Sequence, residues 1–348
     1  MADFRNVIAF VRNRHVGTLV TPRAFAKLEA LADWLPDAMS SYYLECRLTG
    51  DHDQVDLMGC IRAWDGGRQN LKDHLLQNRQ YRGRRIWESV SDLCVDWSAR
   101  RSSTHELIPH LWLSFDLDDH PWLNPAPCLL MCLDQSRFPD GRDQRSSMLT
   151  ARELRLLSDS IFETLLGRPT TKEERATIES CRDSLLPGEQ LAHMSVMLSR
   201  EPIAQKIDIS MPTAGVHRYL ERVNWTGSLQ TLDKLISRLC PEYERVGFQL
   251  VIGESLAPTI ELELHFDNSN ESRERYCVLV DRLSDAGLCA KEYEDDLKRW
   301  PGQFRLPSPG NKWPTRWRTW MDVKIVQARN CSVAAKAYLG LAPSTSLF

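Results

Sequence analysis

Glu261, Glu263 and His265 occupy every second position of the stretch IELELHF, residues 260–266. In a β-strand successive side chains point to opposite faces, so two carboxylates and an imidazole would share one face, and Ile260, Leu262, Leu264 and Phe266 the other. Such a row suits proton transfer. Neighbouring like charges raise the proton affinity of one carboxylate, and an imidazole titrates close to neutral pH. One of the two glutamates is therefore expected to keep its proton near neutrality. A solvated strand face would show the same alternation with no chemistry, so the decisive question is what the row faces.

The same pattern recurs along the chain. Leu111, Leu113, Phe115 and Leu117 oppose Trp112, Ser114 and Asp116. Ile207, Ile209 and Met211 oppose Lys206, Asp208 and Ser210, and Met321, Val323 and Ile325 oppose Asp322, Lys324 and Val326. Period-2 alternation bounded by turn residues predicts strands over 42–49 and 54–63, 108–117 and 126–134, 190–199 and 204–211, and 246–253 and 259–266. A last pair is expected at 303–306 and 318–328. Helical periodicity predicts a helix over 23–39, helical regions over 71–100 and 272–300, and helices over 150–166, 171–185, 214–223 and 228–239. A short closing helix is expected over 332–339. Thr171 followed by Glu174 is a capping-box signal.

Five strand pairs separated by helical segments imply antiparallel hairpins whose apolar face is covered by helices. The expected fold class is α/β (α+β): a ten-stranded antiparallel barrel of five αββα units, helices outside and a polar lumen within. Ten strands with helices on one face could also leave the polar face open to water as a broad sheet, whereas closure removes the open edges. No Pro/Gly/Ser-rich linker divides the chain, so residues 1–348 are expected to form a single domain, with the barrel units over about 23–341. The lumen would display Tyr43, Glu45, Arg47, Asp56, Met58, Cys60, Arg62, Trp112, Ser114, Asp116, Cys132, Asp134, Ser195, Met197, Ser199, Lys206, Asp208, Ser210, Gln249, Glu261, Glu263, His265, Trp320, Asp322 and Lys324.

This arrangement resembles the ABBA-type aromatic prenyltransferases, by order of elements rather than by a motif. The resemblance implies transfer of an allylic prenyl group from its diphosphate to an aromatic or electron-rich small molecule or peptide inside the barrel. That reaction needs cations for the diphosphate, aromatic faces to shield the allyl cation and a carboxylate for the acceptor. Arg47, Arg62, Lys206 and Lys324 are the candidate diphosphate ligands, and Tyr43, Trp112 and Trp320 the aromatic shield. Glu261, Glu263, His265 and Asp116 are the candidate catalytic groups. The expected lumen carries eight acids against four Lys and Arg residues, a balance that repels diphosphate unless Mg²⁺ bridges the two, with Asp116, Asp134 and Asp208 as the metal side. Two other readings stay open. One is a non-redox cyclase or isomerase that uses the lumen carboxylates for proton transfer in a terpenoid, polyketide or peptide pathway. The other is a non-catalytic barrel that binds a hydrophobic ligand.

Bulk properties narrow the field further. A net charge of −3 lacks the basic footprint of a nucleic-acid binder. Apolar residues at 42% and charged residues at 26% are ordinary for a globular chain. No run is long enough to span a membrane and no signal-peptide pattern is present, so a cytoplasmic location is expected. The ten cysteines form no CxxC pair. DLDDHPW (116–122) invites comparison with DDxxD metal motifs but lacks the last acid and falls in a hairpin loop. QYRGRRIW (80–87) and WPTRWRTW (313–320) read as a solvated helix face and a stacked Arg–Trp surface.

Overall fold

The computed structural model describes residues 4–14, 16–50, 54–64, 66–117, 125–133, 149–266, 270–306 and 314–344. Its helices are α1 (Phe4–Arg12), α2 (Pro22–Ala32), α3 (Gly67–Gln77), α4 (Arg85–Ser98), α5 (Ser103–Leu107), α6 (Ala151–Leu166), α7 (Lys172–Asp183), α8 (Val216–Arg222), α9 (Leu229–Leu239), α10 (Asn270–Asp285) and α11 (Glu294–Arg299). Between them run the strands β1 (Ser41–Arg47), β2 (Val55–Arg62), β3 (His110–Phe115), β4 (Cys128–Cys132), β5 (Gln190–Met197), β6 (Ala204–Pro212), β7 (Arg245–Ile252), β8 (Ile260–Leu264), β9 (Gly302–Leu306), β10 (Thr315–Gln327) and β11 (Val333–Pro343).

Every strand pairing is antiparallel, and ten strands close into a ring: β1 to β8 in sequence order, then β10, then β11, which pairs back onto β1. The barrel expected from the sequence is the one observed. Its outward rows form the core together with the helices: Leu44, Leu57, Ile61, Leu111, Leu113, Phe115, Ile207, Ile209, Phe248, Leu262, Val323 and Ile325 are all buried there. Burying each such side chain stabilises the fold by about 1.5–3 kcal/mol relative to exposure. Helix α6 and helix α7 each begin with a complete capping box, Thr150 with Glu153 and Thr171 with Glu174. Two orphan backbone donors are satisfied at each of these starts.

The last unit differs from expectation in two ways. Residues 333–343 form β11, not a closing helix, and β10 pairs with β11 as well as, at its start, with the expected partner 303–306. Alanines favour a helix locally, but a helix here would leave the facing edges of β1 and β10 unpaired, a cost that backbone pairing removes. In the strand, Ala335, Ala337, Leu339 and Leu341 turn to the core while Lys336 and Tyr338 turn inward. Residues 302–306 become an eleventh strand, β9, beside Thr315–Thr319 of β10, whose continuation from Val323 to Gln327 pairs with β8. The stretch before α2 is also ordered as α1, whose Val7, Ile8 and Val11 are buried. No helix among the described residues is long and apolar enough to cross a membrane.

Candidate active site

The inward rows surround a cavity of about 130 Å³ that opens to solvent. One part of its wall is aromatic. The Tyr43 ring centroid lies 5.6 Å from that of Trp112, 5.4 Å from Trp320 and 6.1 Å from Tyr338, the last two edge-on. The Tyr43 hydroxyl donates to Asp322 Oδ2 at 2.8 Å and accepts from Trp320 Nε1 at 2.8 Å. Gly340 makes room for this packing, because an added Cβ would overlap the Trp320 indole. Trp320 therefore backs Tyr43, while Tyr43, Trp112 and Tyr338 line the cavity itself.

Beside the aromatic group stands an ionic one. Lys206 Nζ is 2.5 Å from Glu261 Oε1, and Lys324 Nζ is 3.1 Å from Glu261 Oε2 and 2.9 Å from Glu263 Oε1. Gln249 Nε2 donates to Glu263 Oε1 at 2.7 Å and to Asp208 Oδ2 at 3.2 Å, and Lys336 pairs with Glu45. Lys324 Nζ also lies 5.2 Å from the Tyr338 ring centroid.

These partners fix the protonation states. Burial would raise the carboxyl of Glu261, but Lys206 and Lys324 hold it well below the usual carboxylate range. Burial likewise opposes ionisation of Glu263, and Lys324 overcomes it. The expectation that one of the two glutamates keeps its proton is thus overturned. Lysines from β6 and β10 interleave with the acids, so opposite charge outweighs like-charge repulsion. Asp56 behaves differently. Burial and the Glu45 charge push it up to about 7, against the stabilising N–H of Leu117 at 2.6 Å. His265, expected next to the glutamates, lies 3.8 Å from Glu263 Oε2 and 3.5 Å from Asp322 Oδ1. Its side chain stays 65% exposed, so solvent screens both contacts.

Toward one mouth, Arg47, Gln54, Asp56, Asp116, Arg200 and Lys336 line an adjoining cavity of about 270 Å³. Asp116 accepts from Arg200 Nε at 3.0 Å and from Ser199 Oγ at 2.8 Å, and these bonds overcome its burial to hold it ionised. Arg62 lies elsewhere. It lies six positions along β2 from Asp56, about 20 Å of strand, and its guanidinium sits over Trp64, 5.5 Å from the ring centroid. It does not join the other cations, because alternation assigns a side chain to a face but not to a height along the barrel.

The expected metal side does not assemble among the described residues. Asp116 is engaged by Arg200 and Ser199, Asp208 by Gln249 and His193, and no group of three His, Cys, Asp or Glu side chains there is placed to hold a metal ion. The described residues do not fit a shared Mg²⁺. Asp134, most of DLDDHPW and Trp313 fall outside the described residues.

Sequence reasoning missed His193, Arg200, Lys336 and Tyr338, all of which line the main cavity. His193 shares strand parity with Ser195 and Met197, so its alternation was available as a signal. Lys336 and Tyr338 were hidden by the helix reading, and Arg200 follows the end of β5. With them the cavity wall holds six carboxylates (Glu45, Asp116, Asp208, Glu261, Glu263, Asp322) against four Lys or Arg side chains and two histidines. The excess of carboxylates over Lys and Arg expected from the sequence is halved, from four to two.

No protein-family model and no curated protein matches the sequence. Solved structures do. The chain is similar to the prenyltransferase PriB in binary complex with product diphosphate, at 12% identity and a TM-score of 0.54, over 98% of this chain and 96% of that one. It is also similar to PriB in ternary complex with L-tryptophan and dimethylallyl thiolodiphosphate, at 11% identity and a TM-score of 0.52 over the same shares. A third similar structure is 5-dimethylallyl tryptophan synthase from Streptomyces coelicolor in complex with DMASPP and Trp, at 10% identity and a TM-score of 0.50, over 100% and 97% of the two chains. The fold of this chain is that of the ABBA-type aromatic prenyltransferases, a likeness of topology.

Proposed function

We propose that the barrel transfers an allylic prenyl group from its diphosphate to an aromatic acceptor. The observation that carries this reading is that Lys206, Lys324, Lys336 and Arg200 share one cavity with Tyr43, Trp112 and Tyr338. The cations, joined at the mouth by Arg47, receive the diphosphate oxygens, and the aromatic faces stabilise the allyl cation as its C–O bond lengthens. The bonding pair leaves with the diphosphate oxygen, the acceptor ring supplies the pair for the new carbon–carbon bond, and the ring then loses a proton. Glu263 Oε2 is the receiving atom: it is ionised and turned toward His265, whereas both oxygens of Glu261 are held by lysines. The acceptor class is argued by analogy with the tryptophan complexes of the similar structures.

The alternative of a barrel working through Glu261 and Glu263 as free proton donors loses its basis, since both are ionised in lysine pairs. Thermal unfolding with dimethylallyl S-thiolodiphosphate, with and without Mg²⁺, tests the proposal. Protection of wild type, lost in Lys324→Ala and Lys336→Ala, is expected. Equal protection of wild type and both variants, or none in wild type, refutes it and leaves a hydrophobic-ligand barrel as the better description.

A further inference from the structure

We propose that the lumen holds a second chemistry, proton-initiated addition to a carbon–carbon double bond, with the His193–Asp208 pair as the acid and a neutral alkene carrying a nearby hydroxyl as the substrate class. Prenyl transfer as described above uses neither residue, and this step needs no diphosphate.

His193 stands on β5 at the register shift between Leu191 and His193, and its side chain remains 29% exposed in the cavity. Its Nδ1 is 3.4 Å from Asp208 Oδ2 on the neighbouring strand β6. Asp208 is 4% exposed. Its Oδ2 also accepts from Gln249, while Oδ1 is buried without a hydrogen-bond partner. A buried carboxylate with one oxygen uncompensated is costly to keep ionised, so the pair gains by retaining a proton. The groups facing the imidazole are Cys132 from β4, Asp208 from β6, Glu263 from β8 and His265 just after it, with Lys324 of β10 acting on Asp208. Burial disfavours the imidazolium, yet Asp208 and Cys132 raise it well above its ordinary value. Burial raises Asp208 as well. Both directions leave one proton on the pair at neutral pH, in a cavity whose Tyr43, Trp112 and Tyr338 rings can face a developing carbocation.

The step balances within the pair and the substrate. Nε2, the ring nitrogen not facing Asp208, gives its proton to the less substituted alkene carbon, and the π electrons form that C–H bond. The tertiary cation left behind is closed by the hydroxyl oxygen, forming a C–O bond, and the hydroxyl proton returns to Nε2. The result is a cyclic ether with no net gain or loss of atoms.

The probe is 2-(3-methylbut-2-enyl)phenol in D₂O, followed by mass spectrometry and NMR for conversion to 2,2-dimethylchroman carrying one deuterium at C3. Wild type should catalyse this. His193→Gln and Asp208→Asn should each lower the rate at least about 100-fold, the range of a positioned general acid. Because the acid form is lost as pH rises through the pair's raised pKa, the wild-type rate should fall on the alkaline side, and Asp208→Asn should bring that fall to lower pH. NMR titration of the histidine rings, with His193→Gln to assign the signal, supplies a readout free of substrate. A His193 midpoint at or below the ordinary 6.5 overturns the proposal, as does a wild type no faster than His193→Gln. The thiolodiphosphate experiment bears on prenyl transfer alone, since this phenol carries no diphosphate, so the two ideas fail separately.

Discussion

Lys324 is the residue on which the ionic part of the cavity turns, and Lys324→Met tests that reasoning most sharply. Lys324 is 7% exposed, and its ammonium bridges Glu261 and Glu263 at 3.1 and 2.9 Å. Methionine keeps most of the side-chain volume, so what is lost is charge. Glu261 retains Lys206, but Glu263 is left with Gln249 and the screened His265. Removing one partner of a buried pair costs about 3–5 kcal/mol, because the other charge stays desolvated. The sign with pH follows from the depressed carboxyl of Glu263. In wild type its contribution is fully present above the unfolded carboxylate pKa and disappears as pH falls through the lower folded value. In the variant Glu263 is raised instead, so it is destabilising at neutral pH and harmless once protonated. Urea unfolding at pH 7 should therefore show a loss of about 3–5 kcal/mol that shrinks substantially at pH 4. Adding Glu263→Gln to the variant should recover part of the loss at pH 7. An equal loss at both pH values, or no recovery in the double variant, would show that Lys324 acts through packing and that the assigned charge network is wrong.

Other expectations follow from single contacts. Asp56 is raised to about 7 in the folded chain, above its unfolded value, so it opposes folding increasingly as pH rises through that range. Asp56→Asn, which keeps an oxygen for the Leu117 N–H, should gain stability over wild type between pH 5 and pH 8 by urea unfolding, and a pH-independent difference would contradict the assignment. Gly340→Ala drives a methyl into the Trp320 indole and should cost about 1–3 kcal/mol with a changed tryptophan fluorescence; an unchanged unfolding midpoint would refute the close approach. Tyr43→Phe orphans Trp320 Nε1 and one oxygen of Asp322, so a loss of about 1–3 kcal/mol is expected in the same assay, and a neutral substitution would mean that water replaces the hydroxyl.

Local backbone geometry decides which face a strand residue occupies, and that much could be read from the chain alone. Alternation placed Lys206, Asp208, Glu261, Glu263, Asp322 and Lys324 on the polar side, and Thr171 with Glu174 marked a helix start. The count of hairpins left an open sheet or a closed barrel, and the pairing of β11 with both β1 and β10 closed the ring and put those rows inside. Tertiary pairing decided the rest. Glu261 meets lysines from β6 and β10, strands distant in sequence, and only that meeting reverses the proton affinity expected of adjacent acids. The alanine-rich end of the chain looks helical until the open edges of β1 and β10 are there to be paired, and Lys336 and Tyr338 entered the cavity with it. Arg62 shares a face with Asp56 but not a height, and Arg200 reaches Asp116 from beyond a strand end. The period of the strand is written in the covalent chain, whereas register, height and charge pairing depend on which strands hydrogen-bond to one another.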